Sequence, residues 1–285
     1  MILALIETQE FSPTLRIILL VVFFTGIAAV VISRFYVFFE QQYAIKNKRP
    51  FFVHFYLYKK KLGDKEKRIL RNQFSFYKRL NTTQKDIFNH RVASFIDAKS
   101  FLGREGLVVT NEMKVLIAAT STMLTFGFRN YRIDLIERII IYPNSFYSQS
   151  NDAEHKGELN PKLKVLVLSW EDFLIGYDDE NDNLNLGIHE FTHAIHINSL
   201  KSRDISSLIF KSAFGELTDL LTAEEELRQK LIESKYFRAY AFTNQFEFVA
   251  VIVETFIETP HDFKRQFPRI YNKTREMLNF NFANY

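Results

Sequence analysis

The sequence predicts an α+β fold, predominantly helical with a small sheet, preceded by one N-terminal transmembrane helix. Three observations predict it. Residues Ile17 to Phe39 hold a single charge, Arg34, in 23 positions. Two short β-type runs, Arg138–Tyr142 and Lys164–Ser169, stand in the first two-thirds of the chain. From Leu186 onward the text is almost wholly helical. Strands followed by a run of helices give segregated α+β layers rather than an alternating parallel fold.

About 20 consecutive apolar residues cross a bilayer core as a helix. Residues 17–39 satisfy this, and Arg34 sits near the end of the run, where its side chain can snorkel to headgroups. A cleaved signal peptide wants a basic leader. The first 16 residues offer only Arg16 against Glu7 and Glu10, so residues 1–40 read as an uncleaved anchor. Lys and Arg concentrate after the run (Lys46, Lys48, Arg49, then Lys59–Arg71), which places the soluble part in the cytoplasm. Residues 41–79 alternate aromatic and basic groups and read as a helical connector. The basic run at Lys59–Lys61 suits anionic headgroups.

Residues 80–285 form the soluble domain. Leu80–Phe101 reads as a helix with Thr82 or Thr83 as N-cap, and Asn111–Thr125 as a second, apolar one. Arg138–Tyr142, stopped by Pro143, is a buried strand. Asn144–Asn160 is polar and reads as a mobile loop. Lys164–Ser169 is a strand whose edge could pair with a peptide backbone. Asp178–Asn185 is an acidic turn.

A net charge of +4 without one basic face predicts no nucleic-acid partner. The chain has no Cys, which excludes disulfide scaffolds, cysteine nucleophiles, thiolate zinc fingers and iron–sulfur clusters. The 30 Phe residues supply a large aromatic core.

One constellation carries chemistry. His189-Glu190-Phe191-Thr192-His193 is an H-E-x-x-H motif. Residues i and i+4 share a helix face, so both imidazoles can bind one Zn²⁺, with Glu190 as general base. A third ligand is needed. Glu216 lies 23 residues past His193, a separation similar to the thermolysin-like arrangement, although its E-x-x-D context differs from that family's E-x-x-x-D. Glu247 lies 54 residues past His193. It shares one stripe of a strongly apolar helix with Glu254 and Glu258, and a carboxylate in such surroundings is costly unless paired or metal-bound. That favours Glu247 as the ligand and leaves Glu254 and Glu258 solvated or supporting. His196 reads as a supporting or exposed residue.

The chain resembles the Mlc titration factor A family of zinc-dependent peptidases from Leu80 to Phe280. The likeness rests on Phe88–Leu107, Ile139–Phe146 (IIIYPNSF), Leu168-Ser169-Trp170, Asn185–His193 (NLGIHEFTH), Tyr240–Pro260 and Phe267–Tyr271 (FPRIY). The family is related in its catalytic part to the anthrax lethal factor metalloprotease through a Tyr-Ala-x-Thr-Asn-x-x-Glu-Phe string, here Tyr240–Phe248. The resemblance implies a zincin-like domain in which His189, His193 and Glu247 bind one zinc ion. It further implies Glu190 as base, Tyr240 pointing into the site, and hydrolysis of peptide or protein substrates, aminopeptidase-like or limited. The family's name also implies a second expectation, a regulatory protein that sequesters a transcription regulator. Ala194-Ile195-His196 stands where the family has Gln-Leu-Asp, and the apolar anchor is not a feature of its soluble members.

Overall fold

Helix α1 (Pro13–Asn47) is the longest element of the computed structural model, which describes residues 12–148, 152–178, 181–283 and 285. Glu7, Glu10, Asp179 and Glu180, which entered the charge and turn arguments, lie outside the described residues. Ser12 caps α1 by accepting from Leu15 N at 3.3 Å. At 1.5 Å per residue the 35-residue helix spans about 52 Å, longer than the roughly 30 Å of a hydrocarbon core. α1 is long and apolar enough to cross a membrane, and every side chain from 13 to 39 is exposed, with Tyr36 touching the Phe51 ring near the end of that length. Burial begins at Glu40 and Ala44.

Two short helices, α2 (Asp64–Gln73) and α3 (Ser75–Arg79), deliver Leu70, Phe74, Phe76 and Tyr77 to the same core that the rest of the chain builds. Helix α4 (Thr82–Ala98) is capped by Asn81, not by the threonines. Asn81 Oδ1 accepts from Gln84 N at 2.9 Å and Gln84 Oε1 from Asn81 N at 3.0 Å, a reciprocal capping box. It ends before the expected Phe101, because Ser100–Gly103 enters the sheet as β1. Helix α5 (Asn111–Leu124), capped by Thr110, is buried along almost its whole length.

Strands β2 (Arg138–Tyr142), β3 (Phe146–Ser148), β4 (Ala153–His155), β5 (Gly157–Asn160) and β6 (Val165–Ser169) follow. The sheet order is β1-β2-β6-β5, parallel except for β5 against β6. β3 and β4 form a separate hairpin. Two expectations are corrected here. Among its described residues, which leave out 149–151, the polar stretch 144–160 is mostly strand, because the ladders satisfy its backbone while its polar side chains project from the strands. And β6 is interior, its two edges taken by β2 and β5, so the free edge beside the site belongs to β5.

Helices α6 (Trp170–Asp178), α7 (Leu186–Lys201), α8 (Ile205–Ala223) and α9 (Glu225–Glu233) come next. A 3-10 turn (Ala239–Phe242) then leads to α10 (Gln245–Glu258), α11 (Pro260–Gln266) and α12 (Pro268–Met277). α7 packs on α10, α5, α8 and β5, which makes it the central helix of the soluble part.

Candidate metal centre

Asn185 starts α7 by accepting from Ile188 N at 3.0 Å. Ile188, Phe191, Ala194 and Ile195 then bury one side, and His189 and His193 are left on the other, facing a cleft. Asn244 starts α10, accepting from Phe246 N at 2.8 Å and Glu247 N at 3.1 Å. Glu247 therefore sits in the first turn, where the helix dipole favours a carboxylate.

The two helices bring three atoms together. His189 Nε2 lies 3.0 Å from His193 Nε2 and 3.0 Å from Glu247 Oε2, and His193 Nε2 lies 3.5 Å from Glu247 Oε2. Tetrahedral ligands at about 2.0–2.1 Å from an ion stand about 3.3 Å apart, so the three spacings bracket what one ion requires. Glu247 Oε2 is buried without a hydrogen bond of good geometry, as expected of an atom whose lone pair is meant for a cation. Burial pushes the Glu247 carboxyl up, but the adjacent His189 and His193 imidazoles hold it well below the usual carboxylate range.

Behind His189 stands a second layer, of which the sequence offered Glu254 as solvated or supporting and did not mark Arg238. Glu254, two turns beyond Glu247 on α10 and almost fully buried, places Oε1 2.6 Å from His189 Nδ1. Arg238 grips Glu254 with both terminal nitrogens, at 2.9 and 2.8 Å, and donates to Asn183 O at 2.6 Å. Asn185 N donates to the remaining oxygen at 3.1 Å. A carboxylate on Nδ1 fixes the tautomer and turns the Nε2 lone pair towards the cleft. Burial lowers the His189 imidazole pKa, but Glu247 and Glu254 outweigh it and raise it to about 9. The seven-residue stride from Glu247 marked Glu254 as sharing its stripe; nothing local marks Arg238, whose role exists only because the 3-10 turn folds back.

Glu190 is buried beside the cleft, and burial raises its carboxyl. It fits only because β5 begins with glycine: a Cβ on Gly157 would stand 2.7 Å from Glu190 Cγ. Tyr240 is half exposed, its ring 6.1 Å from that of His189, and burial followed by the neighbouring Glu247 carboxylate pushes its phenol up to about 12. His155, from the hairpin, lines the same cleft of about 390 Å³ with Glu158 and Leu159.

The structure does not bring the other candidates here. Glu216 of α8 receives Lys48 and, at 2.6 Å, Lys273, away from the cleft. His196 is buried between Phe214 and Phe246, each ring 4.7 Å away, and burial lowers it to about 4; it packs and does not face the cleft. Glu258 lies one turn beyond Glu254, and burial raises its carboxyl to about 8.

Among known proteins, a family model described as glucose-regulated metallopeptidase M90 matches residues 43–278. The chain is 22% identical over 222 residues to an uncharacterized protein of Synechocystis sp., covering 73% of this chain and 81% of that one. It is 23% identical over 194 residues to Mlc titration factor A of Yersinia pestis and, equally, of Yersinia pseudotuberculosis, covering 63% of this chain and 71% of theirs.

Proposed function

Since the chain belongs to the glucose-regulated metallopeptidase M90 family, we propose that it is a zincin-like, membrane-anchored zinc peptidase that cleaves peptide bonds in the cleft between α7, α10 and β5. The observation that carries this reading is the convergence of His189, His193 and Glu247 with a positioned carboxylate behind the first imidazole. In it, His189, losing its Nε2 proton on metal binding, and His193 would supply neutral nitrogens, with Glu247 as the third ligand. Zinc held there would polarise a bound water, bringing its pKa to about 7.

The chain's own groups do the rest. The free edge of β5 lies along the cleft and offers backbone N–H and C=O groups to an extended peptide. Glu190 takes the proton of the attacking water and returns it to the leaving nitrogen. Tyr240, kept protonated far above neutral pH, donates its hydroxyl to the carbonyl oxygen as charge develops there. Glu254 and Arg238 hold His189 in one tautomer. Glu158, which lines the cleft, suits a substrate amine, the aminopeptidase-like variant of this reading.

The membrane part of the proposal is a single pass through α1, with the soluble part on the cytoplasmic side as the Lys and Arg distribution implies. A second reading comes from the relatives named Mlc titration factor A: a protein that sequesters a regulator, with peptidase activity secondary. One pair of measurements separates the two. Purified full-length protein and its Glu190→Gln variant are compared for metal content and peptide hydrolysis. The peptidase reading expects one zinc per chain in both and hydrolysis only in the parent. Absence of bound metal, or equal hydrolysis in the two, overturns it.

A further inference from the structure

We propose that residues 51–61 form a second membrane contact, a loop that seats aromatic side chains in the interface of an anionic leaflet beside the emerging α1. This rests on the single-pass reading of α1. The loop lies at the right depth. After α1 ends at Asn47 the chain turns back, and Phe51 packs its ring 5.8 Å from Tyr36 and 4.9 Å from Tyr43. Phe51 N donates to Glu40 Oε1 at 3.4 Å. Glu40 follows directly on the apolar run, so Phe51 stands level with the place where a spanning helix leaves the hydrocarbon.

Phe52 lies under the Arg129 guanidinium, 4.7 Å from its ring, and Arg129 is paired with Glu40 at 2.5 Å. Phe55 follows, its ring 6.2 Å from that of Phe52. From there the side chains divide between two sides of the loop. Tyr56 faces inward, its hydroxyl accepting from buried Arg91 Nε at 2.7 Å, and His54 packs on Phe126. Phe55, Leu57 and Tyr58 face out, exposed by 70%, 82% and 91%. The inward residues pin the loop, so the outward ones are presented rather than merely loose. Lys59 and Lys61 follow, exposed and without an ion pair among the described residues, while Lys60 is held by Asp97 at 2.7 Å.

Aromatic side chains prefer the headgroup level, and basic residues beside them are drawn to anionic lipid. A second copy of the chain would not explain why the patch lies level with the end of the apolar helix and carries free lysines. The contact would fix the tilt of the soluble part, and hence the height of the cleft above the bilayer.

The absence of cysteine makes the test direct, because one introduced thiol takes one label. Full-length Phe55→Cys, carrying an environment-sensitive dye, is reconstituted in vesicles of phosphatidylcholine with or without phosphatidylglycerol, some lipids bearing a quencher at the headgroup level. Leu20→Cys, within the span, and Glu226→Cys, on α9 at the far end of α8 from Ala44, are the references. The expected result is quenching at position 55 in anionic vesicles, approaching that at position 20 and absent at 226. Lys59→Gln with Lys61→Gln should weaken loop occupancy by about 25-fold, at about fivefold per basic residue. Quenching at 20 but not at 55 overturns the proposal while leaving the anchor intact. Dye self-quenching at 55 that ignores lipid composition overturns it in favour of a second copy. No quenching at 20 removes the anchor reading and this proposal with it.

Discussion

Glu216 and Glu247 are the two glutamates the sequence offered as third ligand, and the fold gives them opposite partners. Glu247 meets two imidazoles, whose nitrogens offer lone pairs and leave room for a cation between them. Glu216 meets two ammonium groups, Lys48 and Lys273, which carry the positive charge themselves and fill the place an ion would take. The first cluster is backed by a buried carboxylate and a bidentate arginine. The second lies half exposed where the base of α1 docks on α8, beside Ala44, Ile205 and Ile209. The partner decides the role: an imidazole cluster invites a metal, an ammonium cluster ties two helices together.

The contrast breaks most sharply at Glu190. Glu190→Gln should lower hydrolysis by about 10²–10⁴-fold, the usual worth of a positioned base, with metal content unchanged. Glu247→Ala should strip the metal, while Glu216→Ala should keep it, both read by metal analysis of purified protein. The reverse result would exchange the two clusters' roles. Arg238→Ala frees Glu254 and should weaken metal affinity by about 10–100-fold, measured by competition with a chelator. Gly157→Ala forces Glu190 aside, so activity should fall by up to about 100-fold with metal retained.

The smallest effect belongs to Glu216. Its pairs are partly exposed, so Glu216→Ala should cost at most about 1 kcal/mol in thermal or denaturant unfolding. The sign with pH is fixed. Burial raises the Glu216 carboxyl, but Lys273 and Lys48 bring it below its ordinary 4.5. The stability it contributes is therefore complete above pH 4.5 and is lost as pH falls through the lower folded value, which a pH series on the parent and Glu216→Ala proteins should show as converging stabilities in acid.

Much of the site was legible before folding was considered. His189, Glu190 and His193 are fixed relative to one another by helical pitch alone, so their spacing was sufficient. Glu247 was legible because a carboxylate in so apolar a helix demanded a partner. The strands β2 and β6 were legible as apolar runs, whereas β5 and β4 were not, since a short polar edge strand carries no burial signal. Asn81 was passed over for the threonines because three adjacent residues all suit an N-cap.

By itself, then, the sequence determined what is local: the long apolar helix, the helical pair of imidazoles with Glu190 beside them, and the want of any cysteine chemistry. Only the tertiary structure decided which glutamate meets the imidazoles, that Glu254 and Arg238 stand behind them, and that β5 rather than β6 borders the cleft. Pitch and hydropathy act over a few residues, whereas these outcomes depend on elements tens of residues apart arriving at one place, a geometry set by how the whole core packs.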